Sequence, residues 1–537
     1  MKKYLVKTLP ILLVATFILA ACSPAAQQPA TSGGNNNAGG ATTSTATGTS
    51  GGPADSGQPS ARDELMIVVA TLPNSLDPHA TIDNPASLVR NNMYDPLMRL
   101  DPITNELSPA LAVDWSMPDG QTVNMELRQG VTFHNGMPFT AADVVFSIER
   151  ALASPTHRAY IEMVDYIEII DDYNISIHLH YPYAPILNRL SFSILAIVPE
   201  QLVREIGDDA FADRPVGTGP FKFEEYILGD RVVLERNDDW WGEAPAIRQM
   251  TFRQIAEQTN RFIEVETGNA DIAIAILPSD ISRAETTDNV NLLRRSNRSF
   301  DYVAMNLRDE GPLQDLRVRE AITHALQMEA IVTAAFSGSG SVADSPMTPM
   351  SNYHVSTAPY VFDIERAREL MAEAGYADGF NVNFWTNSGN QPRADVAEMI
   401  QNQLRAINIS VNIEVLEWAT FIERTTDGDH DMMMIGWSGG DPDPDSQLFN
   451  VFHSSNFGGA GNRAFYHNPD VDRWLDEGRS EVNSDVRRQL YENIQHQIRA
   501  DIPVLFVRHG EELDLSTPAV RGYVPGSSVF WEVYFVE

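Results

Sequence analysis

The sequence contains one cysteine, Cys22, so no disulfide can form within the chain, and no thiol nucleophile or thiolate metal cluster lies further along it. Lysine is almost as scarce. Lys2, Lys3 and Lys7 precede an apolar run, and Lys222 alone follows it, so arginine supplies nearly all of the 38 basic residues. Against 73 acidic residues they leave a formal charge of −35, which makes nucleic acid and anionic membrane surfaces poor partners. After the amino-terminal run, no apolar stretch approaches the ~20 residues that span a bilayer. The sequence has no H-E-x-x-H zinc motif and no nucleophile elbow. Gly217-Thr218-Gly219 is not continued by Gly-Lys-Ser/Thr but stopped by Pro220, so it is not a phosphate-binding loop. No cofactor or metal is therefore expected. An exported hydrolase working through paired carboxylates stays compatible with so acidic a composition, but no motif supports it.

What is present begins with three lysines and an apolar run from Leu9 to Ala21, too short for an ordinary membrane span but suited to a secretory leader over residues 1–21. The run closes in Leu19-Ala20-Ala21-Cys22, which resembles the bacterial lipobox, in which the cysteine receives a diacylglyceryl group; Cys22 is thus the expected lipidation site. The segment that follows, within residues 22–61, is rich in Gly, Ala, Ser, Thr, Asn, Gln and Pro and has no aromatic, Leu, Ile, Val or Met. It cannot bury enough apolar surface to offset the entropy of ordering, so a disordered tether is expected. A flexible coil of this length would hold the body roughly 35 Å from the anchor.

From residue 62 the composition is globular, and the remaining length calls for more than one core. Leu65–Ala70, Ile175–His180 and Val232–Glu235 read as strands, the second by strict alternation. An apolar stripe at Val318, Ala321, Ile322, Ala325 and Leu326 predicts a helix over Arg317–Phe336. A second helix opens at the N-cap Asp363 and stops at Gly375. A third is expected over Arg393–Ile407 and a fourth from Ser484 to Asp501, with strands at Ser410–Val415 and Met432–Ile435 between them. The pattern is α/β or α+β.

Several motifs narrow this. Thr71-Leu72-Pro73-Asn74-Ser75-Leu76-Asp77-Pro78, Phe133-His134-Asn135-Gly136-Met137-Pro138-Phe139-Thr140, Pro215-Val216-Gly217-Thr218-Gly219-Pro220-Phe221, Asp315-Leu316-Arg317-Val318-Arg319-Glu320-Ala321 and Gly436-Trp437 followed by Asp441-Pro442-Asp443-Pro444-Asp445 occur in this order along the body. In order and spacing they resemble the family 5 solute-binding proteins, the dipeptide-, oligopeptide- and nickel-binding group. The resemblance implies an α/β, two-lobed clamp of the periplasmic-binding-protein type (class II), with mixed sheets, a hinge and a ligand cleft between the lobes. Lobe I would hold residues 62–299 and 504–537, and lobe II residues 300–503. It also implies a monomer that delivers a peptide or other small solute to an ABC permease powered by a separate ATPase, touching the membrane only through its lipid.

By the same resemblance, Thr81, Trp385, Asn387, Arg393, Trp418, Trp437, Gly440, Asp441 and Asp443 are the candidate ligand residues. Two anchoring positions depart from the dipeptide pattern: Gly440 stands where an aspartate meets the ligand ammonium, and Asn387 where an arginine meets its carboxylate. Asp441 and Arg393 are the nearest groups of the right charge, and either they take over or both are loop surface. Strict dipeptide specificity is therefore not implied; a longer or modified peptide such as glutathione, or a non-peptide solute (an oligosaccharide, an opine, chelated nickel), stays open. Trp385, Trp418 and Trp437 would wall the cleft or pack in cores. Asp441, Asp443 and Asp445 alternate like the start of a calcium loop, but Ser446 and Phe452 occupy its glycine and position-12 acid, which rejects that motif. His178 and His180 share one side of a strand and are read as an exposed face.

Overall fold

The computed structural model describes residues 60–308, 310–459 and 461–537; the leader, Cys22 and the tether through residue 59 lie outside them. The first described residue, Ser60, donates its backbone N–H to the Phe535 carbonyl at 3.0 Å.

One long sheet runs through the body. Its strands lie in the order Ile409–Leu416, Phe380–Asn387, Met432–Ser438, Asn291–Met305, Val504–Ser516, Ile272–Ala273, Glu64–Val69, Gln249–Gln254, Arg231–Arg236 and Phe221–Ile227. The cores divide along it. Phe300 to Val507 supply the clusters at one end, and Leu65 to Val290 with Leu513 to Phe535 supply those at the other. A separate four-stranded sheet, including Thr122–Leu127 and Asn174–Leu179, belongs to the second group. This is the two-lobed α/β clamp, and the antiparallel pair Asn291–Met305 and Val504–Ser516 runs across the junction.

That pair changes character midway. In Asn291–Met305 the first nine residues are exposed or half-buried, whereas Phe300–Met305 are all buried. Between the two parts, Asn297–Ser299 bulge against Gly510 alone. A Cβ on Gly510 would stand 2.5 Å from Ser299 Oγ and 2.7 Å from Asn297 Oδ1, so the bulge requires a glycine opposite it. Beyond the bulge, alternation sends Phe300, Tyr302 and Ala304 to one core and Val303 and Met305 to the other, beside Val396, Ala397 and Ile400 of the helix Gln391–Leu404.

Local sequence signals account for most elements. Asp363 caps Ile364–Glu373 by accepting from Arg366 N, and Gly375 follows at φ +85°. Ser484–Asp501 is helical over the expected span. The single helix expected over Arg317–Phe336 is instead two, Leu316–His324 and Met328–Ala335. The turn between them is fixed from outside, since Gln327 N donates to Gln403 Oε1 at 2.7 Å. Both helices bury their stripe in the same core, so the apolar periodicity carries across the break.

Candidate ligand cleft

Alternation past the bulge places Asp301 on the same face as Val303 and Met305, at the end of the sheet where the helix Gln391–Leu404 begins. Asn390 caps that helix, accepting from Arg393 N, and Arg393 in the first turn turns back toward the strand. Its Nη2 lies 3.2 Å from Asp301 Oδ1 and its Nη1 donates to Asn387 Oδ1 at 3.2 Å. Arg508 approaches the other Asp301 oxygen at 3.6 Å. Two guanidinium groups thus share one carboxylate, and burial lowers the Arg508 pKa. The strand Met432–Ser438 can pass this cluster because residue 436 is glycine: a Cβ there would sit 2.6 Å from both Arg393 Nη2 and Asp301 Oδ1. The cluster walls a cavity of about 500 Å³ together with Trp437, Phe336, Pro278 and Ser279, so both core groups contribute to its lining.

The cleft continues past Ser438, which also lines a chamber of about 150 Å³ beside Arg295, Arg298 and Gly526. These three in turn border a third chamber of about 360 Å³, walled by Tyr94, Tyr160, Phe192 and Trp531 and touched by Gly440. Shared lining residues make the three chambers neighbours along one side of the junction. Burial lowers the pKa of both Arg295 and Arg298.

Beside these chambers, the acidic loop is buried and ion-paired, although Asp441 Oδ2 and Asp445 Oδ1 accept no hydrogen bond. Pro442 and Pro444 have no N–H, and each intervening aspartate N–H is accepted by the aspartate two residues earlier, at 2.9 Å for Asp443 and 3.0 Å for Asp445. Every carboxylate then meets an arginine. Asp441 pairs with Arg189 at 3.2 Å, Asp445 with Arg479 at 2.8 Å, and Asp443 takes both Nη atoms of Arg487 at 2.9 and 3.0 Å. Tyr183 O–H adds a bond to Asp445 at 3.0 Å. Arg189 and Tyr183 belong to the opposite core group, so these contacts tie the two ends of the molecule together beside the cleft. Burial, then repulsion from Asp443 and Asp445, pushes the Asp441 carboxyl up to about 6 despite Arg189.

Residues 106–459, well over half of the chain, match the family model described as "Bacterial extracellular solute-binding proteins, family 5 Middle". The chain belongs to this family. Heme-binding protein A of Haemophilus influenzae is 27% identical over 87% of this chain and 90% of its own length. The dipeptide-binding protein of Escherichia coli is 27% identical over 80% of this chain and 86% of its own. Among solved structures, the periplasmic binding protein DppA from Helicobacter pylori in complex with the peptide STSA superposes with a TM-score of 0.71, at 27% identity, over 88% of this chain and 98% of that one.

In this family 5 protein the residues singled out from sequence separate into groups. Asn387, Arg393 and Trp437 come together at the first chamber, the asparagine through its bond to the arginine. Gly440 borders the third chamber. Asp441 and Asp443 are buried in ion pairs with Arg189 and Arg487. Thr81 bonds to Asp83 and accepts from Arg90 through its carbonyl, next to Ile82 of the third chamber. Two tryptophans lie away from the first chamber. Trp385 is packed in a core under the Arg424 guanidinium, and Trp418 is 47% exposed and stacked on Phe421. His178 stacks on Tyr166 with 4.3 Å between ring centroids. The sequence reading missed Asp301, Arg508, Arg295 and Arg298. The last two were detectable: Arg294-Arg295-Ser296-Asn297-Arg298 is a dense basic run in a chain of charge −35.

Proposed function

We propose that this chain is the capture component of an ABC importer, held outside the cell membrane by an acylated Cys22, and that its ligand is a peptide whose carboxyl terminus docks at Arg393. One observation carries the reading. The first chamber opens on the amino-terminal turn of a 14-residue helix, where Arg393 and Arg508 face a single carboxylate, Asp301. Helix dipole, guanidinium fork and surplus positive charge all favour a carboxylate there. Its volume of about 500 Å³ lies within the ~300–1,000 Å³ of small-molecule sites. Peptide binding by named relatives supports the choice of ligand. A ligand bridging the two core groups would favour the closed arrangement by its differential affinity, giving a permease a loaded form to distinguish. The protein itself would do no chemistry on the solute.

The test is calorimetric titration of a tripeptide and its carboxyl-terminal amide against the natural protein and Arg393→Ala. A desolvated charge contact broken on one side costs ~2–5 kcal/mol. The natural protein should therefore prefer the free acid by roughly thirty-fold or more at ~1.4 kcal/mol per decade, and the variant should lose that preference. Equal affinity of both peptides for the natural protein would remove the carboxylate from Arg393. For the anchor, Cys22→Ser expressed in a host that acylates lipoproteins should leave the detergent phase; continued partitioning would show that Cys22 is not the anchor.

A further inference from the structure

The bulge in the strand Asn291–Met305 has a second consequence. In a regular strand, residues three apart point to opposite faces, so Arg295 and Arg298 would diverge. With Asn297–Ser299 bulged against Gly510, both line the second and third chambers. Their neighbour Arg294 behaves differently: it lies on the outer side and is satisfied by Glu511 at 2.7 and 3.1 Å. Arg295 and Arg298 have no ion-pair partner among the described residues. Arg295 donates to the Pro525 carbonyl at 3.3 Å. Arg298 donates to Asn105 Oδ1 at 2.6 Å and to the Met350 carbonyl at 3.4 Å. A guanidinium has five N–H groups, so most of theirs are free for a ligand. The acids that act on them, Asp101 and Glu512 on Arg295 and Asp441 on Arg298, do so from beyond ion-pair distance, and Asp441 is already paired with Arg189. The chamber they line holds one carboxylate, Glu512, which already accepts from Asn297 Nδ2 at 2.9 Å, so two partly buried cations face a single acid and the surplus positive charge is costly unless the ligand balances it.

We infer that Arg295 and Arg298 form a second anion subsite in the cleft, so that the ligand carries a carboxylate in addition to the one at Arg393. The inference rests on the cleft being the ligand site. It narrows the proposed peptides to those with an acidic residue near the end remote from the carboxyl terminus. Arg298 and Asp301 are three residues apart in the chain, so their backbones lie no more than ~10 Å apart at ~3.3 Å per extended residue.

The experiment compares two ligand pairs, Glu-Ala-Ala against Gln-Ala-Ala and decanedioate against decanoate, by calorimetry on the natural protein and on Arg295→Gln/Arg298→Gln. Both substituted positions are half-buried surface of the cleft, and the thermal transition of the variant serves as the control for folding. The natural protein should bind Glu-Ala-Ala at least ten-fold tighter than Gln-Ala-Ala. The variant should bind the two alike, with its affinity for Gln-Ala-Ala within about three-fold of the natural protein's. A dianion preference confined to the decanedioate pair and lost in the variant would uphold the subsite and refute the peptide reading. No dianion preference in either pair, including no binding at all, or a preference that survives in a folded variant, would overturn the subsite.

Discussion

Tyr183 and Asp445 are 262 residues apart in the chain and meet at 3.0 Å, as Arg189 and Asp441 do at 3.2 Å. These bonds join the two core groups, so an opening of the clamp that parts the acidic loop from Arg189 and Tyr183 would break them. Their pH dependence can be signed. In the closed arrangement burial pushes the Asp441 carboxyl from 3.8 up to about 6, and burial raises Asp445 as well. An opened loop would rehydrate Asp441 and return it toward 3.8, so the closed arrangement binds more protons across the window from 3.8 to about 6. Closure is thereby favoured as pH falls through that window, opposite to the expectation from the Arg189 ion pair alone. Going from pH 7 to 5 should raise the closed-to-open ratio of ligand-free protein. Small-angle scattering at the two pH values should show compaction on acidification, and Asp441→Asn should flatten the response. Expansion on acidification would mean that attraction to Arg189 outweighs the cost of burial.

Among the elements, the helix Gln391–Leu404 matters most to the site, because its first turn carries Arg393 and its cap is Asn390. Asn390→Ala should cost ~1 kcal/mol of stability, read by denaturant unfolding, since an N-cap side chain is lost. It should also weaken carboxylate binding by loosening Arg393, whereas Asn390→Ser should largely restore both. Stability loss with unchanged affinity would confine the cap to a structural role. Elements set by local signals were legible: the Asp363 cap, the Gly375 stop and the alternating strand at Asn174–Leu179 needed nothing from outside their own windows. The break after His324 was not legible, because its turn is held by Gln403 from another helix. The bulge at Asn297–Ser299 was equally hidden, since it exists only against Gly510 on a strand distant in sequence.

At the scale of the whole molecule, charge is partitioned. A chain of −35 lines three neighbouring chambers with Arg295, Arg298, Arg393 and Arg508 and spends the carboxylates of its acidic loop on Arg189, Arg487 and Arg479. The clamp itself was legible, because its motifs recur in order along most of the body. The balance of the cleft was not: Arg393 and Trp437 could be placed near one another from their loops, but the partners that decide which charges are free (Asp301, Arg508, Arg189) come from distant segments. The proposed function requires that this cleft hold an intact peptide. Native mass spectrometry of the purified protein with its carried-over ligand tests it most directly. The expected result is a non-covalent complex that releases, on collisional activation, a small ion fragmenting along amide bonds and carrying at least two carboxyl groups. A released solute without an amide series, or a cleaved product in place of the intact ligand, would contradict it.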